Sequence, residues 1–221
     1  MATGHYIYRV AGGIAALDLS GDYVAAVERE ATAPTVASLG HAASTVYGYA
    51  LRAVASNGQL SSKALVTEVA FDADGTYLGV VPNRPTALRL EPNGTSGELR
   101  ATAAVNNAAR RNRLDKSGTV TLISADGSAA ASSIQIAPVA FGVSDWDHLL
   151  ATLDAPAGYA AVSADLTGPY RHGQTVAIAA RQINAAGAAS SHVTASAVAI
   201  NVDDTAGRAL LGIRATETTG S

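Results

Sequence analysis

Thr45-Val46-Tyr47-Gly48-Tyr49-Ala50-Leu51-Arg52-Ala53-Val54-Ala55-Ser56-Asn57-Gly58-Gln59-Leu60-Ser61-Ser62 decides how this chain is read. Tyr47, Tyr49, Leu51 and Ala53 fall on one face of an extended backbone at period two, which predicts a half-buried antiparallel strand. Asn57-Gly58 then offers the positive φ that a tight hairpin turn needs.

The same alternation recurs outward from this stretch. Gln174 to Ala180 puts Val176, Ile178 and Ala180 together, Gly118 to Ser124 puts Val120 with Leu122, and Ser133 to Ala137 alternates as well. Gly12-Gly13, Asp74-Gly75, Asn93-Gly94 and Asp126-Gly127 punctuate such runs. The expectation is an all-β sandwich. Composition alone points elsewhere, because 48 of the 221 residues are alanine, the strongest helix former. Period two overrides that prior, and alanine reads as a small filler on strand faces.

Composition removes several classes. A net charge of -3 gives no general footprint for nucleic acid. No apolar run reaches the 18 or more residues that span a bilayer. With no cysteine there is no disulfide, thiolate metal site or cysteine nucleophile. Met1 to Val10 lacks a basic region and a long apolar stretch, so no signal peptide is expected.

Thr45 to Asp74 can be laid on Gln174 to Asp203 at a constant offset of 129 residues. Gly58 falls on Gly187, Ser61-Ser62 on Ser190-Ser191, Arg52 on Arg181, Val54 on Ile183 and Val69 on Val198. Such a repeat predicts two copies of one module.

The pattern Tyr-x-Tyr-x-Leu-Arg-Ala-Val-x-Ser-Asn-Gly-x-x-Ser resembles the last hairpin, strands F and G, of a fibronectin type III module. The second copy departs from it, with Val176 and Ile178 where that family usually has tyrosine. The resemblance implies two immunoglobulin-like or fibronectin type III-like antiparallel β-sandwich domains. Residues 86–204 would form a complete one, with A at Thr86 to Glu91, B at Gly97 to Ala104, C at Gly118 to Ser124, C′ at Ser133 to Phe141, E at His148 to Leu153, F at Thr175 to Ile183 and G at His192 to Val202. Residues 77–85, with Pro82 and Pro85, suit a linker. Residues 1–76 would be an incomplete copy: His5 to Val10, Tyr23 to Val27 and a stretch to Leu39 can supply C, C′ and E, but A and B are missing. Such an open sandwich exposes an unpaired edge.

Residues 205–221 form a C-terminal tail. Arg208 to Glu217, with Leu210, Leu211 and Ile213, resembles Arg84 to Glu91 and reads as the A strand of a further module. Either it is donated to the incomplete domain of a neighbour by strand addition, or it is a frayed tail.

Candidate chemistry is sparse. The five histidines, His5, His41, His148, His172 and His192, show no metal-ligand spacing. Asp147-His148 has no nucleophile elbow beside it. Asp72-Ala73-Asp74-Gly75 lacks the later ligands of a calcium loop and reads as the turn opening the linker. Arg110, Arg111 and Arg113, with Lys116, form the basic cluster of the expected B–C loop, either solvated or a contact for an acidic partner. Trp146 is a sugar-stacking residue or a loop anchor. Asn93-Gly94-Thr95 reads as a turn.

No nucleophile, base and oxyanion donor can be assembled, so the expectation is no enzyme, no cofactor and no metal. Tandem type III-like modules without a signal peptide or cysteine resemble phage virion proteins, made in the host cytoplasm. That implies a structural component of a tail, neck, fibre or capsid decoration. Its partners would be copies of itself and other virion proteins, with neither nucleic acid nor membrane. The alternative is a module that binds a host-surface glycan or receptor through Trp146 and Arg110 to Arg113.

Overall fold

In a computed structural model, the backbone is described for residues 2–28, 40–107, 110–115, 120–124 and 131–202, and side chains for 4–28, 40–107 and 131–202. The regular elements among the described residues are strands apart from one short 3-10 turn. In order it forms β1 (Ala2–Ala11), a 3-10 turn (Ile14–Ala16), β2 (Ala25–Glu28), β3 (Val46–Ala55), β4 (Leu60–Phe71) and β5 (Tyr77–Val80). There follow β6 (Ala87–Pro92), β7 (Leu99–Asn107), β8 (Arg110–Asp115), β9 (Val120–Ser124) and β10 (Ser133–Ala140). The last are β11 (Val143–Ser144), β12 (Ala151–Asp154), β13 (Gly158–Leu166), β14 (Thr175–Ile183) and β15 (Val193–Val198).

These elements divide into two units that interleave along the sequence. Unit 1 comprises Met1–Asn83, Asn107–Ala131 and Ile183–Ser190, and unit 2 comprises Arg84–Asn106, Ser132–Gln182 and Ser191–Ser221. A division into consecutive segments with a linker at 77–85 therefore does not describe the packing. Tyr77–Val80 is a strand on β4, with Val69 opposite Val80. The two prolines that suggested a linker lie just beyond it, where a missing N–H ends the pairing.

Unit 2 is an antiparallel sandwich. One sheet runs β13-β7-β6 and the other β11-β10-β14-β15, with β12 also on β10. These are the sheet orders E-B-A and C′-C-F-G. The strands expected at A, B, F and G are found at β6, β7, β14 and β15. Three assignments between them shift. The segment expected as C′ (β10) takes the C position beside β14, and the one expected as E (β12) takes C′ beside β10. E is β13, whose run Tyr159-Ala160-Ala161-Val162-Ser163-Ala164 has too little apolar contrast to advertise its alternation. The segment expected as C became β9, in the other unit.

The sandwich core follows the period-two pattern. Leu99, Val105, Ile134, Ile136, Leu166 and Ile178 are buried between the sheets, with Ala101, Ala103 and Ala180 filling narrow positions beside them. Burying each large side chain contributes about 1.5–3 kcal/mol. The outer side of the β13-β7-β6 sheet is polar: Arg100 pairs with Asp165 at 2.7 Å, and the Thr102 and Ser163 hydroxyls share a bond of 2.8 Å.

Unit 1 has the order β2-β1-β3-β4-β8-β9 with β5 also on β4, a 7-stranded sheet. Its first four strands repeat C′-C-F-G. Among the described residues no second sheet faces them. The stretch to Leu39, expected as a further strand, lies outside the described residues. What extends the sheet is the β8–β9 hairpin between β7 and β10, with Lys63 to Val66 of β4 opposite Asp115 to Asn112 of β8. One face of the sheet carries Tyr8, Ala50, Ala64 and Val66, covered by Ile14, Leu17 and Leu19. Gly48 permits that cover: a Cβ there would lie 2.6 Å from the Gly13 carbonyl. The loop is tied down by the Ile14 N–H, which donates to Glu68 at 2.6 Å.

Candidate functional site

Trp146 lies in the connection between β11 and β12, whose entry is fixed by the Asp145 N–H donating to the Pro138 carbonyl. Its indole carries the Arg181 guanidinium 4.1 Å from the ring centre and meets the His192 ring edge-on at 5.7 Å. Arg181 is on β14 and directs Nε and Nη2 to the Gln135 side-chain oxygen at 3.0 and 2.8 Å. Strand alternation puts Gln135 and Arg181 on the outer side of the sheet, beside the fully buried small residues Ala137 and Ala179. Burial lowers the Arg181 pKa, yet a guanidinium stays charged in water-accessible protein. The cluster is therefore a cation–π anchor that holds the β11–β12 connection to the sheet. One indole face is occupied by the arginine and is not open to a sugar ring.

The same connection holds Asp145 and His148, joined at 2.9 Å. Asp145 sits below its ordinary pKa, chiefly because His148 hydrogen-bonds its carboxylate. Both side chains are well exposed, with no third acid or nucleophile attached.

The basic cluster is not a loop. Arg110, Arg111 and Arg113 are backbone members of β8: Arg110 pairs with Ser124, Arg111 with Ile123, and Arg113 with both Thr121 and Leu65. Alternation of charge and polarity hid a strand stabilised by tertiary pairing. Leu210, Leu211 and Ile213, with Lys116 and Asp203-Asp204, lie outside the described residues. Asp72 to Gly75 forms the β4–β5 turn and not a linker entrance, with the Asp72 carboxylate accepting from the N–H groups of Asp74 and Thr76 at 2.9 and 2.8 Å. Asn93-Gly94 is the turn between β6 and β7, closed by the Asn93 N–H to the Glu98 carbonyl.

His41 was singled out only as a residue type, yet it centres an aromatic group in unit 1. Its ring stacks on Phe71 at 4.2 Å, meets Tyr47 edge-on at 5.0 Å and shares a hydrogen bond with the Tyr49 hydroxyl. Arg9 lies 5.1 Å from the Tyr47 ring centre and donates to the Gly40 carbonyl. The His41 pKa is lowered, first by burial and then by Arg9. Among the described residues no group of three or more His, Cys, Asp or Glu could hold a metal ion.

One feature went unread in the sequence. Ala140 pairs with Val143, so Phe141-Gly142 is a two-residue hairpin loop, with φ of 51° and 80°. That is the pattern of a type I′ turn, which favours Asn-Gly. A phenylalanine in the left-handed region is an outlier. Phe141 is also fully exposed (107 %), and Val143 beside it is 70 % exposed. An aromatic residue directly before glycine, between two alternating runs, was the available signal.

No family model and no curated protein matches the chain. Among solved structures the D00-D0 domain of intimin is similar, at 15% identity over 70% of this chain and with a TM-score of 0.29. The chain spans 64% of that structure's length. A likeness of this size carries no functional argument, and the architecture rests on the strand pairing above: an all-β chain of antiparallel sheets with an immunoglobulin-like sandwich.

Proposed function

We propose that this chain is a non-enzymatic structural component of a phage or phage-like particle, acting through protein–protein assembly contacts. The observation that carries the reading is the half-sandwich of unit 1. Its strands repeat the C′-C-F-G order of unit 2, but no second sheet faces them among the described residues. Tyr49, Leu51, Leu65 and Val69 on that face stay half-buried, where their counterparts in unit 2 meet a sheet. An apolar sheet face of this kind is stabilised by a partner. Many symmetric copies in a particle supply one, and the sequence of residues 206–221 reads as a strand to donate. Synthesis in a host cytoplasm suits a chain without cysteine.

Purified particles test this. The expected result is the chain in fixed copy number in intact virions, with deletion of residues 206–221 lowering both assembly and thermal stability. A soluble monomer with saturable sugar binding overturns it in favour of the glycan-binding reading. The arginine on the Trp146 ring speaks against that reading.

A further inference from the structure

We propose that the outer edge of β13 is a pairing site for the same strand of a second copy, the two strands running antiparallel about a two-fold axis at Val162. The inference goes beyond the assembly reading and holds whatever particle carries the chain.

Three observations converge on it. First, the edge is open. β13 spans 9 residues at one end of the β13-β7-β6 sheet, and among the described residues no strand pairs with its other side. Its core-facing residues show the gap. Ala160, Val162 and Ala164 stay half-buried, whereas Leu99, Ala101, Ala103 and Val105 of the neighbouring β7 are fully buried.

Second, the edge is unguarded. Sheet edges are ordinarily blunted by charge, proline or a bulge. β6, at the sheet's other end, carries Arg89, Glu91 and Pro92, and the turn after it is bridged to Asn201 through Ser96. Gly158 to Ala164 has neither charge nor proline. Asp165 is the strand's one charge, and Arg100 of the same sheet compensates it at 2.7 Å.

Third, the strand complements itself. Val162 is the midpoint of Gly158–Leu166, so pairing about it uses the whole strand. It sets Val162 against Val162, Ala160 against Ala164 and Ala161 against Ser163. Tyr159 falls opposite Asp165, so neither carboxylate meets its twin and each faces a phenol able to donate to it. The half-buried face is apolar in both copies, and each extends the other's cover. Such a two-fold contact closes on itself and joins two three-stranded sheets into one.

The chain has no cysteine, so Val162→Cys supplies a single thiol. Opposed Cα atoms of an antiparallel pair lie about 4.5–5.5 Å apart, within disulfide reach. Under mild oxidation the full chain bearing Val162→Cys should form a covalent dimer. Ala160→Cys mixed with Ala164→Cys should cross-link far faster than either variant alone. Sedimentation equilibrium should show a dimer of the unsubstituted chain. Tyr159→Asp should weaken it about tenfold, most at low salt, because carboxylates then oppose each other at two places. Tyr159→Arg should leave it intact. A chain that is monomeric at every concentration overturns the proposal, as does a dimer that Tyr159→Asp leaves unchanged and Val162→Cys does not cross-link. If association appears only after residues 206–221 are deleted, the chain's own tail occupies the edge and the proposal is wrong. A cross-linked dimer that is absent from particles upholds it and removes the assembly reading.

Discussion

The hairpins β3–β4 and β14–β15 carry the same turn and serve different packing. In the first, the Gly58 N–H donates to the Ala55 carbonyl and the Ala55 N–H to the Gln59 carbonyl. In the second, Gly187 donates to Asn184 and Asn184 to Ala188, each position shifted by 129 residues. Gly58 and Gly187 both have positive φ, 79° and 97°. Beyond the turn the copies part. A register shift between Arg52 and Val54 lets β4 pair from Leu60, whereas β15 begins at Val193. The face that meets a second sheet in unit 2 has none in unit 1 among the described residues. Unit 1 covers its opposite face with a loop, and on the face without a second sheet His41 packs against Tyr47 and Tyr49. Chain connectivity, not strand chemistry, separates the two-sheet sandwich of unit 2 from the sheet of unit 1, which meets no second sheet among the described residues.

The largest test of this contrast is in the cores. Ile178→Ala removes a fully buried side chain between two sheets and should cost about 2–5 kcal/mol. Val66→Ala, beneath the loop of unit 1, should cost about 1–2 kcal/mol. Denaturant unfolding followed by amide exchange, read separately in β3 and β14, measures both. Equal losses would mean that the loop covers its sheet as well as a sheet does.

The paired arginines sharpen the comparison at smaller scale. Arg52 is buried, donates twice to the Ser61 carbonyl at 3.0 and 2.7 Å, and reaches the Leu19 carbonyl at 2.9 Å. It thereby clamps the loop of unit 1 onto its sheet. Arg181, at the equivalent position, clamps the connection bearing Trp146. Arg52→Met should cost about 2 kcal/mol, because buried carbonyls lose charged donors. Arg181→Met should cost about 0.5–1 kcal/mol, the worth of a half-exposed cation–π contact. Thermal melts of the two variants decide the order.

The turn asparagines follow. The Asn184 side chain accepts from the N–H groups of Ala186 and Ala188 and donates to the Leu78 and Val80 carbonyls at 2.9 and 3.2 Å. The Asn57 side chain accepts from the Gln59 N–H at 3.1 Å. Asn184→Ala should cost about 1–1.5 kcal/mol and Asn57→Ala about 0.5 kcal/mol. If β5 amides exchange no faster in Asn184→Ala, the side chain does not hold that strand.

Much of this architecture is legible in the sequence where large apolar residues alternate, as at β3, β10 and β14, because burial on one face writes period two directly. Illegible elements lack contrast or depend on distant partners. β13 alternates alanine with alanine and serine. β8 reads as a basic loop because its strand conformation comes from pairing with β4, 48 positions earlier in sequence at Leu65 and Arg113. The site shared this fate: Trp146 was visible as a lone indole, but the arginine on its face is 35 residues away.

The smallest effect is a pH dependence that separates the units. His41 packs between Phe71 and Tyr47, hydrogen-bonds Tyr49 and faces the Arg9 cation. Burial and Arg9 hold its pKa below the ordinary 6.5. The unfolded chain therefore binds the proton more readily, and unit 1 loses stability as pH falls through 6.5. In unit 2, Asp145 and Asp165 sit below their ordinary 3.8, so stability they contribute is present above that value and lost beneath it. Between about pH 6.5 and 4.5, amides of β3 should thus lose protection relative to β14, after correction for intrinsic exchange. His41→Phe keeps an aromatic ring against Phe71 and cannot titrate, so it should flatten the difference. A gap between the two strands that widens equally in His41→Phe would place the pH sensitivity elsewhere in unit 1.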